Sequence, residues 1–186
     1  MNWVYEFDLS TFRAINIGLH SSWLDPVFWF FSFIGLGGMQ AAISLLFLFQ
    51  KSTRHYVIPL LLADAVSGIV VADGLKSIIT RDRPSKLPFA IREEDWLVSS
   101  FPSGHSTTAF AVATMLVFLT WNTKYRKFGQ LSLIEAAFIG FSRIYRGVHW
   151  PTDVFAGACF GIATSCLLYL ILPKFRIPIQ KEESVN

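Results

Sequence analysis

Long apolar segments, separated by short polar ones, run through most of this chain. A helix that crosses a membrane needs about 20 mostly apolar residues. The pattern predicts five such spans, at residues 24–50, 55–80, 106–121, 128–145 and 152–172. The expected fold class is therefore all-α, an integral membrane helical bundle with five transmembrane helices.

The first 20 residues follow a different pattern. The apolar side chains that recur there near helical spacing are Phe7, Phe12, Ile15 and Leu19. The charged side chains that interrupt them are Glu6, Asp8 and Arg13. A helix with one apolar and one charged face lies in the membrane interface instead of crossing it. Residues 1–20 are predicted to form an N-terminal amphipathic interfacial helix.

Composition agrees with one membrane domain over residues 1–186. Of the 186 residues, 53% are hydrophobic and 16% are charged, and the mean hydropathy is +0.46. A soluble domain carries about 25% charged residues. The net charge of +3 is small and scattered, so no nucleic-acid partner is expected. No obligate protein partner and no cleavable signal peptide are evident. Cys159 and Cys166 would lie roughly 10 Å apart on a helix, beyond disulfide reach.

Basic residues in the short loops predict the orientation. With five spans, residues 51–54, 124–127 and 174–181 fall on one side, and each of these loops is basic. The positive-inside rule makes that side cytoplasmic, with residues 173–186 as a cytoplasmic tail. Residues 1–23, 81–105 and 146–151 then face the periplasmic side of a bacterial-type inner membrane. The bias is partial, because the outer side also contains Arg81, Arg83, Lys86, Arg92 and Arg146.

Three polar motifs stand at the edges of the apolar segments, all on the predicted outer side. They are Lys76-x6-Arg83-Pro84, Pro102-Ser103-Gly104-His105 and Ser142-Arg143-x5-His149-x3-Asp153. Together they supply three cations, two histidines and one carboxylate, an inventory suited to gripping and attacking a phosphate.

The cations Lys76, Arg83 and Arg143 predict a phosphate-binding site. A guanidinium can bind two phosphate oxygens at once through its planar fork. Ser103 and Gly104 precede a predicted helix, whose unpaired backbone N–H groups attract anions. Gly104 also allows close approach, because it has no side chain. Phosphoryl transfer is stabilised mainly by such electrostatic contacts.

The two histidines divide the remaining chemistry. If the last helix begins by Trp150, Asp153 reaches one ring nitrogen of His149. That contact would fix the tautomer and leave the other nitrogen facing phosphorus. His105 is then available to protonate the departing oxygen. No carboxylate cluster stands beside the histidines, and the cations would repel a divalent ion, so no metal or other cofactor is expected.

In these motifs, KSIITRDRP, PSGH and SRIYRGVHWPTD, the chain resembles the type 2 phosphatidic acid phosphatase family over roughly residues 55–172. The resemblance implies a metal-independent phosphatase with a phosphohistidine intermediate on His149. It further implies that Asp153 orients His149 and that His105 is the general acid. It assigns phosphate binding to Lys76, Arg83, Ser103, Gly104 and Arg143. The chain departs from the family before the first motif: many members have six spans, and this chain is expected to lack the first of them.

The expected activity is hydrolysis of a membrane lipid phosphomonoester or diphosphate. Candidate substrates in the family are lipid A 1-phosphate, undecaprenyl pyrophosphate, phosphatidylglycerol phosphate and phosphatidic acid. The segment 85–101 is expected to shape the lipid entrance through Phe89, Trp96, Leu97 and Phe101. The sequence does not choose among these lipids.

Three other functions remain as alternatives. A lipid phosphotransferase would pass the phosphoryl group to an acceptor other than water. Vanadium-dependent haloperoxidases have a similar site but are soluble, which the membrane-type composition disfavours. A non-catalytic phospholipid binder would not need His105, His149 and Asp153 together.

Acidic residues within the predicted spans are the least explained feature. Charges there indicate function by default, because burying them is unfavourable. Asp73 precedes Lys76 by one turn and is predicted to pair with it. Asp64 and Glu135 are interpreted as protonated, hydrogen-bonded packing residues or as residues at helix ends.

Overall fold

The computed structural model describes residues 3–95 and 98–172, and within them every regular element is a helix, with no strand. The eight α-helices are α1 Trp3–Asn16, α2 Asp25–Ile34, α3 Gly37–Leu45, α4 Val57–Ala65, α5 Gly74–Ile78, α6 Gly104–Thr120, α7 Arg126–Tyr145 and α8 Pro151–Ile171. A π-helical segment, Val66–Asp73, joins α4 to α5, and 3₁₀ turns cover Leu46–Phe49, Arg54–Tyr56 and Pro84–Lys86. The all-α prediction is confirmed for these residues. The predicted tail, 173–186, lies outside them.

Two helical stretches are long and apolar enough to cross a membrane by themselves. They are Arg54–Ile78, with 25 residues, and Pro151–Ile171, with 21 residues. A third is the pair formed by Asp25–Ile34 and Gly37–Phe49, if the two cross together. Helix α6 is apolar but has 17 residues. The structure thus gives two or three clear spans and does not confirm the predicted count of five.

The segment predicted as one span at 24–50 is bent by 70° between α2 and α3. Leu36, at the bend, has an extended backbone with φ −61° and ψ 133°. Gly35 packs tightly against α7, since a Cβ there would lie 2.4 Å from Cγ2 of Ile139. Apolar composition alone did not reveal this break, because both halves remain hydrophobic.

Helix α6 is the centre of the bundle. It contacts α3, α4, α7 and α8, and most of its residues are buried. One core cluster joins its residues Met115, Leu116 and Leu119 to Tyr56 and Leu60. A helix that is apolar around its circumference is expected to be enclosed by others. The position of α6 fixes the site, because the Pro102–His105 motif lies at its start.

Small residues allow α8 to approach α6 closely. Gly157, Gly161 and Ser165 recur every four residues on the α8 face toward α6, a spacing common in membrane helix pairs. A Cβ on Gly161 would lie 2.3 Å from the Thr107 carbonyl oxygen. The Ser165 hydroxyl donates to the Ala111 carbonyl at 2.6 Å. This contact holds the beginning of α8 beside the beginning of α6.

Gly161→Ala is therefore expected to destabilise the protein, by about 1–3 kcal/mol, because the added methyl overpacks a backbone contact. Gly74→Ala is the matched control, since a Cβ at Gly74 meets nothing within 4 Å. Thermal unfolding in detergent should show a lower Tm for Gly161→Ala and an unchanged or higher one for Gly74→Ala. Equal Tm values for the two variants would contradict the packing argument.

The predicted N-terminal helix is present as α1, and it ends at Asn16. At about 1.5 Å per residue its 14 residues span about 21 Å, less than the hydrocarbon core. Its buried side chains are Asp8, Phe12 and Asn16. Phe12 packs on Ile144 and Trp150, while Trp3 and Phe7 are exposed. Asp8, predicted only as an interruption of the apolar pattern, thus faces the bundle.

Candidate active site

One cavity of about 100 Å³ brings the three motifs together. Six of the eight predicted site residues line it, together with Asp73 and Val98; the six are Lys76, Arg83, Gly104, His105, Arg143 and His149. The other two, Ser103 and Asp153, are buried and do not appear among its lining residues. The cavity therefore joins the end of α5, the start of α6, the end of α7 and the turn before α8.

Lys76 approaches from α5, directly after the π-helical segment. Such segments frequently occur at functional sites. The ammonium Nζ lies 3.6 Å from Oδ1 of Asp73, which confirms the predicted pairing. A Cβ on Gly104 would lie 3.1 Å from this Nζ, so the glycine leaves room for the lysine beside the start of α6.

Ser103 caps α6 instead of lining the cavity. Its Oγ accepts a hydrogen bond from the Ser106 backbone N–H at 3.4 Å and another from the Ser106 hydroxyl at 3.0 Å. The side chain is fully buried. Its predicted contact with phosphate stays a prediction, and its observed role is to fix the helix start that carries Gly104 and His105.

His149 lies in the tight turn between α7 and α8, which places its side chain at the cavity. The Arg143 carbonyl accepts hydrogen bonds from the backbone N–H groups of Val148 at 3.1 Å and His149 at 3.2 Å. Gly147 has φ +76°, which favours glycine. A Cβ on Gly147 would also lie 2.3 Å from the Ile91 carbonyl oxygen. The turn thus ties Arg143 and His149 of the third motif into one rigid unit.

Arg83 is clamped by backbone carbonyls. Its Nε donates to Val98 at 2.9 Å, Nη1 to Val148 at 2.9 Å and Nη2 to Ser99 at 3.1 Å. Burial lowers the pKa of Arg83 to about 10, and the charge of Arg143 contributes in the same direction. Arg83 is still protonated at neutral pH and links the 98–99 segment to the turn that carries His149.

The partners of His149 indicate its tautomer. Nη1 of Arg83 lies 3.3 Å from Nε2, and a guanidinium can only donate, so Nε2 accepts. The proton then belongs on Nδ1, which lies 3.5 Å from Oδ2 of Asp153. Burial lowers the pKa of His149 to about 4, against the opposing effect of Asp153. The ring is therefore neutral at neutral pH, with its Nε2 lone pair directed at Arg83, which also lines the cavity.

Glu94 occupies the fork of Arg143, a contact that the sequence did not predict. Its Oε1 and Oε2 accept from Nη1 and Nη2 of Arg143 at 3.0 and 2.8 Å, and Nη1 also donates to Ser32. Nε of Arg146 donates to the same carboxylate at 2.7 Å. Nε of Arg143 is buried and has no hydrogen-bond partner among the described residues.

Asp153 is held by other residues besides its contact with His149, whose distance of 3.5 Å is at the limit of a hydrogen bond. Its Oδ2 accepts from the Trp150 backbone N–H at 2.9 Å, which caps α8. Its Oδ1 accepts from Arg81, which also donates to Asp8 of α1. Neither Arg81 nor Asp8 was assigned a role from the sequence. No local signal links them, because 73 residues separate the two.

His20, Asp25 and Glu93 form a separate group whose ligand atoms lie within 4.8 Å of one another, a geometry that could hold a metal ion. None of the three lines the cavity. Asp25 accepts from the Tyr145 hydroxyl at 2.7 Å, and Glu93 pairs with Arg146 at 2.6 Å. Both carboxylates are thus satisfied within the protein.

The proposed lipid-entrance residues are only partly described. Phe89 packs against the Phe12–Ile144–Trp150 cluster. The guanidinium carbon of Arg13 lies over the Phe89 ring, 4.3 Å from the ring centroid. The Phe101 ring lies 6.3 Å from that of Phe160. Trp96 and Leu97 lie outside the described residues. Their role at a lipid entrance stays a prediction. The free state of Cys159 and Cys166 is confirmed.

This bundle and its cation-and-histidine cavity define a phosphatase-type membrane enzyme. A profile of the PAP2 superfamily matches residues 54–177, and the chain belongs to that superfamily. It is 32% identical to the bacitracin transport permease protein BcrC of Bacillus licheniformis, over 91% of this chain and 82% of that protein. It is 30% identical to an undecaprenyl-diphosphatase of Sulfolobus acidocaldarius, over 83% and 73% of the two chains.

Solved structures of similar fold agree with this family assignment. The crystal structure of Aquifex aeolicus LpxE matches with a TM-score of 0.75 and 31% identity, over 87% of this chain and 93% of that one. A PAP2-type phosphatidylglycerolphosphate phosphatase from Bacillus subtilis has the same fold, with a TM-score of 0.68. The family and the phosphatase class predicted from the motifs are therefore confirmed, as is the all-helical membrane fold, but not the number of spans.

Proposed function

We propose that the protein hydrolyses a membrane lipid phosphomonoester or diphosphate through a phosphohistidine on His149, without a metal. The observation that carries this proposal is the single cavity lined by His149, His105 and the three cations Lys76, Arg83 and Arg143. The alternatives weighed from the sequence, phosphoryl transfer to another acceptor, haloperoxidase chemistry and simple lipid binding, gain no specific support from this geometry.

Binding of the phosphoryl group follows from the donors that face the cavity. Lys76 is held at 3.6 Å from Asp73 and can turn its ammonium to an incoming oxygen. The buried Nε of Arg143 gains a partner when an oxygen binds, which removes an unfavourable unpaired donor. Nη1 of Arg83 can pass from Nε2 of His149 to a phosphoryl oxygen, and this exchange releases the lone pair for attack.

In the first step Nε2 of His149 attacks phosphorus, and the bond from phosphorus to the lipid oxygen breaks. Burial and the charge of Arg143 lower the pKa of His105, so the proton it donates is taken up together with the phosphate dianion, whose charge stabilises the imidazolium. The imidazolium gives that proton to the lipid oxygen, so the lipid leaves as an alcohol or, from a diphosphate, as a phosphate. In the second step water attacks the phosphohistidine, and His105 takes the water's proton. Inorganic phosphate is released, and both histidines return to their starting states.

The proposal includes five membrane crossings, with α1 in the interface and the cavity on the periplasmic side of an inner membrane. In support, the cavity residues come from the end of α5, the start of α6 and the end of α7, which meet at one end of the bundle. The basic residues Lys51 and Lys124 belong to loops at the opposite helix ends. The basic-loop bias assigns that opposite end to the cytoplasm.

Purified protein is expected to release phosphate from at least one of lipid A 1-phosphate, undecaprenyl diphosphate, phosphatidylglycerol phosphate and phosphatidic acid, and to keep that activity in EDTA. Undecaprenyl diphosphate is favoured, because a relative matched over 83% of the chain is named an undecaprenyl-diphosphatase. Insensitivity to EDTA follows from the lining charges: three are cations, and the carboxylate of Asp73 faces Lys76. Loss of activity in EDTA, restored by a divalent metal, would contradict the mechanism.

A further inference from the structure

Arg81 lies inside the first motif, between Lys76 and Arg83, yet the proposed chemistry does not use it. Its side chain does not line the cavity and is one-quarter exposed. It points instead to the start of α8, where its two terminal nitrogens bridge two carboxylates. Nη1 donates to Oδ1 of Asp153 and Nη2 donates to Oδ2 of Asp8.

Asp8 also binds Thr152, the residue that precedes Asp153. Oδ1 of Asp8 accepts from the Thr152 backbone N–H at 2.9 Å, and Oδ2 accepts from the Thr152 hydroxyl at 2.6 Å. That hydroxyl in turn accepts from Nη1 of Arg81 at 2.8 Å. Asp8 and Asp153 are both fully buried, so each requires charged or hydrogen-bonding partners. Arg81 is the cation that both share.

This arrangement constrains Asp153 on both oxygens. Oδ1 is held by Arg81, and Oδ2 accepts from the Trp150 backbone N–H while lying 3.5 Å from Nδ1 of His149. A carboxylate whose two oxygens are both held by hydrogen bonds cannot rotate away from the imidazole. If Arg81 were absent, Asp8 and Asp153 would be two buried like charges, and one of them would tend to take up a proton.

We propose that Asp8 and Arg81 are positioning residues for catalysis, acting through Asp153 on His149. The inference rests on the proposed role of His149 as nucleophile. In this scheme α1 supplies part of the catalytic apparatus: Asp8 fixes Arg81, Arg81 fixes Asp153, and Asp153 fixes the tautomer and orientation of His149. Neither residue contacts the substrate.

Steady-state kinetics of Arg81→Gln and Asp8→Asn on one lipid phosphate tests this role. A small displacement of the reacting group can slow turnover by about 10²-fold, so kcat is expected to fall by about that factor in Arg81→Gln, with KM nearly unchanged. Asp8→Asn should lower kcat less, and Arg81→Lys should restore part of it. Glu6→Gln removes the same charge from the exposed face of α1 and should leave both constants unchanged.

Double variants with Asp153→Asn separate positioning from folding. If Arg81 and Asp8 act through Asp153, adding Arg81→Gln or Asp8→Asn to Asp153→Asn should lower kcat little further. An additional loss equal to that of the single variant would overturn the proposal, as would a rise in KM alone, which would make Arg81 a substrate ligand. A fall in kcat that only matches the loss of folded protein, followed by thermal unfolding, would also overturn it.

The same series distinguishes this inference from the proposed function. If Asp153→Asn itself keeps full turnover, the orienting role of Asp153 fails, and the inference fails with it. If Asp153→Asn is impaired while Arg81→Gln and Asp8→Asn are not, the mechanism stands and the positioning role alone is wrong.

Discussion

His149→Gln is expected to abolish phosphate release, with a fall in turnover of about 10⁴-fold or more, because the covalent route disappears with the nucleophile. The neutral ring of His149, with Nε2 toward Arg83 and Nδ1 toward Asp153, is the arrangement that a nucleophilic imidazole needs. Glutamine keeps similar volume and polarity, so the turn at Gly147 should still fold. Phosphate release from purified protein in detergent measures the effect.

His55→Gln is the matched control, since it places the same substitution on an exposed histidine far from the cavity. It should retain full activity. A substrate labelled in its phosphoryl group should also give labelled wild-type protein after rapid acid-free quenching, whereas His149→Gln should give none. Retained turnover in His149→Gln, or label on that variant, would show that another group attacks phosphorus.

His105→Gln is expected to slow hydrolysis of a lipid phosphomonoester by about 10²–10⁴-fold, the usual contribution of a general acid. The alkoxide of such a lipid is a poor leaving group unless it is protonated. An aryl phosphate such as p-nitrophenyl phosphate leaves as a stable phenolate and does not need that proton. The loss should therefore be much smaller for the aryl phosphate when the first turnover, seen as the rapid release of alcohol or phenolate, is compared. Hydrolysis of the phosphohistidine, which also uses His105, is common to both substrates and is slowed equally.

The comparison also distinguishes His105 from His149. His149→Gln should lose both activities equally, because both substrates require the nucleophile. An equal loss of the first-turnover rate on both substrates in His105→Gln would mean that His105 serves binding or structure instead of protonating the leaving group. The matched variant is Thr108→Val, one turn further along α6. It should leave the rates on both the lipid phosphomonoester and the aryl phosphate unchanged.

The parts of the site that lie within one motif were predictable from sequence. The spacing of His149 and Asp153 places them on adjacent turns whenever α8 starts near Trp150, and it does start at Pro151. The pairing of Asp73 with Lys76 follows in the same way from helical spacing. Convergence of the three motifs was predictable because each stands at the end of an apolar segment on the same predicted side.

Contacts between distant parts of the chain were not predictable. Glu94 was one acid in a charged loop, and only the folded structure brings its carboxylate to Arg143, 49 residues away. Asp8 was predicted only to interrupt the apolar face of an amphipathic helix. A single polar residue gives no periodic signal, so the sequence does not indicate that its side chain is buried. The bend between α2 and α3 was missed for a related reason: tight packing of Gly35 on Ile139 depends on a neighbour, not on local hydrophobicity.

The carboxylate of Glu94 in the fork of Arg143 also has a consequence for selectivity. Before any lipid arrives, Glu94 and Asp73 already balance much of the charge of Arg143 and Lys76. A phosphodiester brings a single negative charge, no more than Glu94 offers, so its exchange for the resident anion gains little. A phosphomonoester dianion brings two. Most lipids of a bilayer have phosphodiester headgroups. Competition from Glu94 would therefore select against these abundant lipids and in favour of the scarce ones that carry a terminal phosphate.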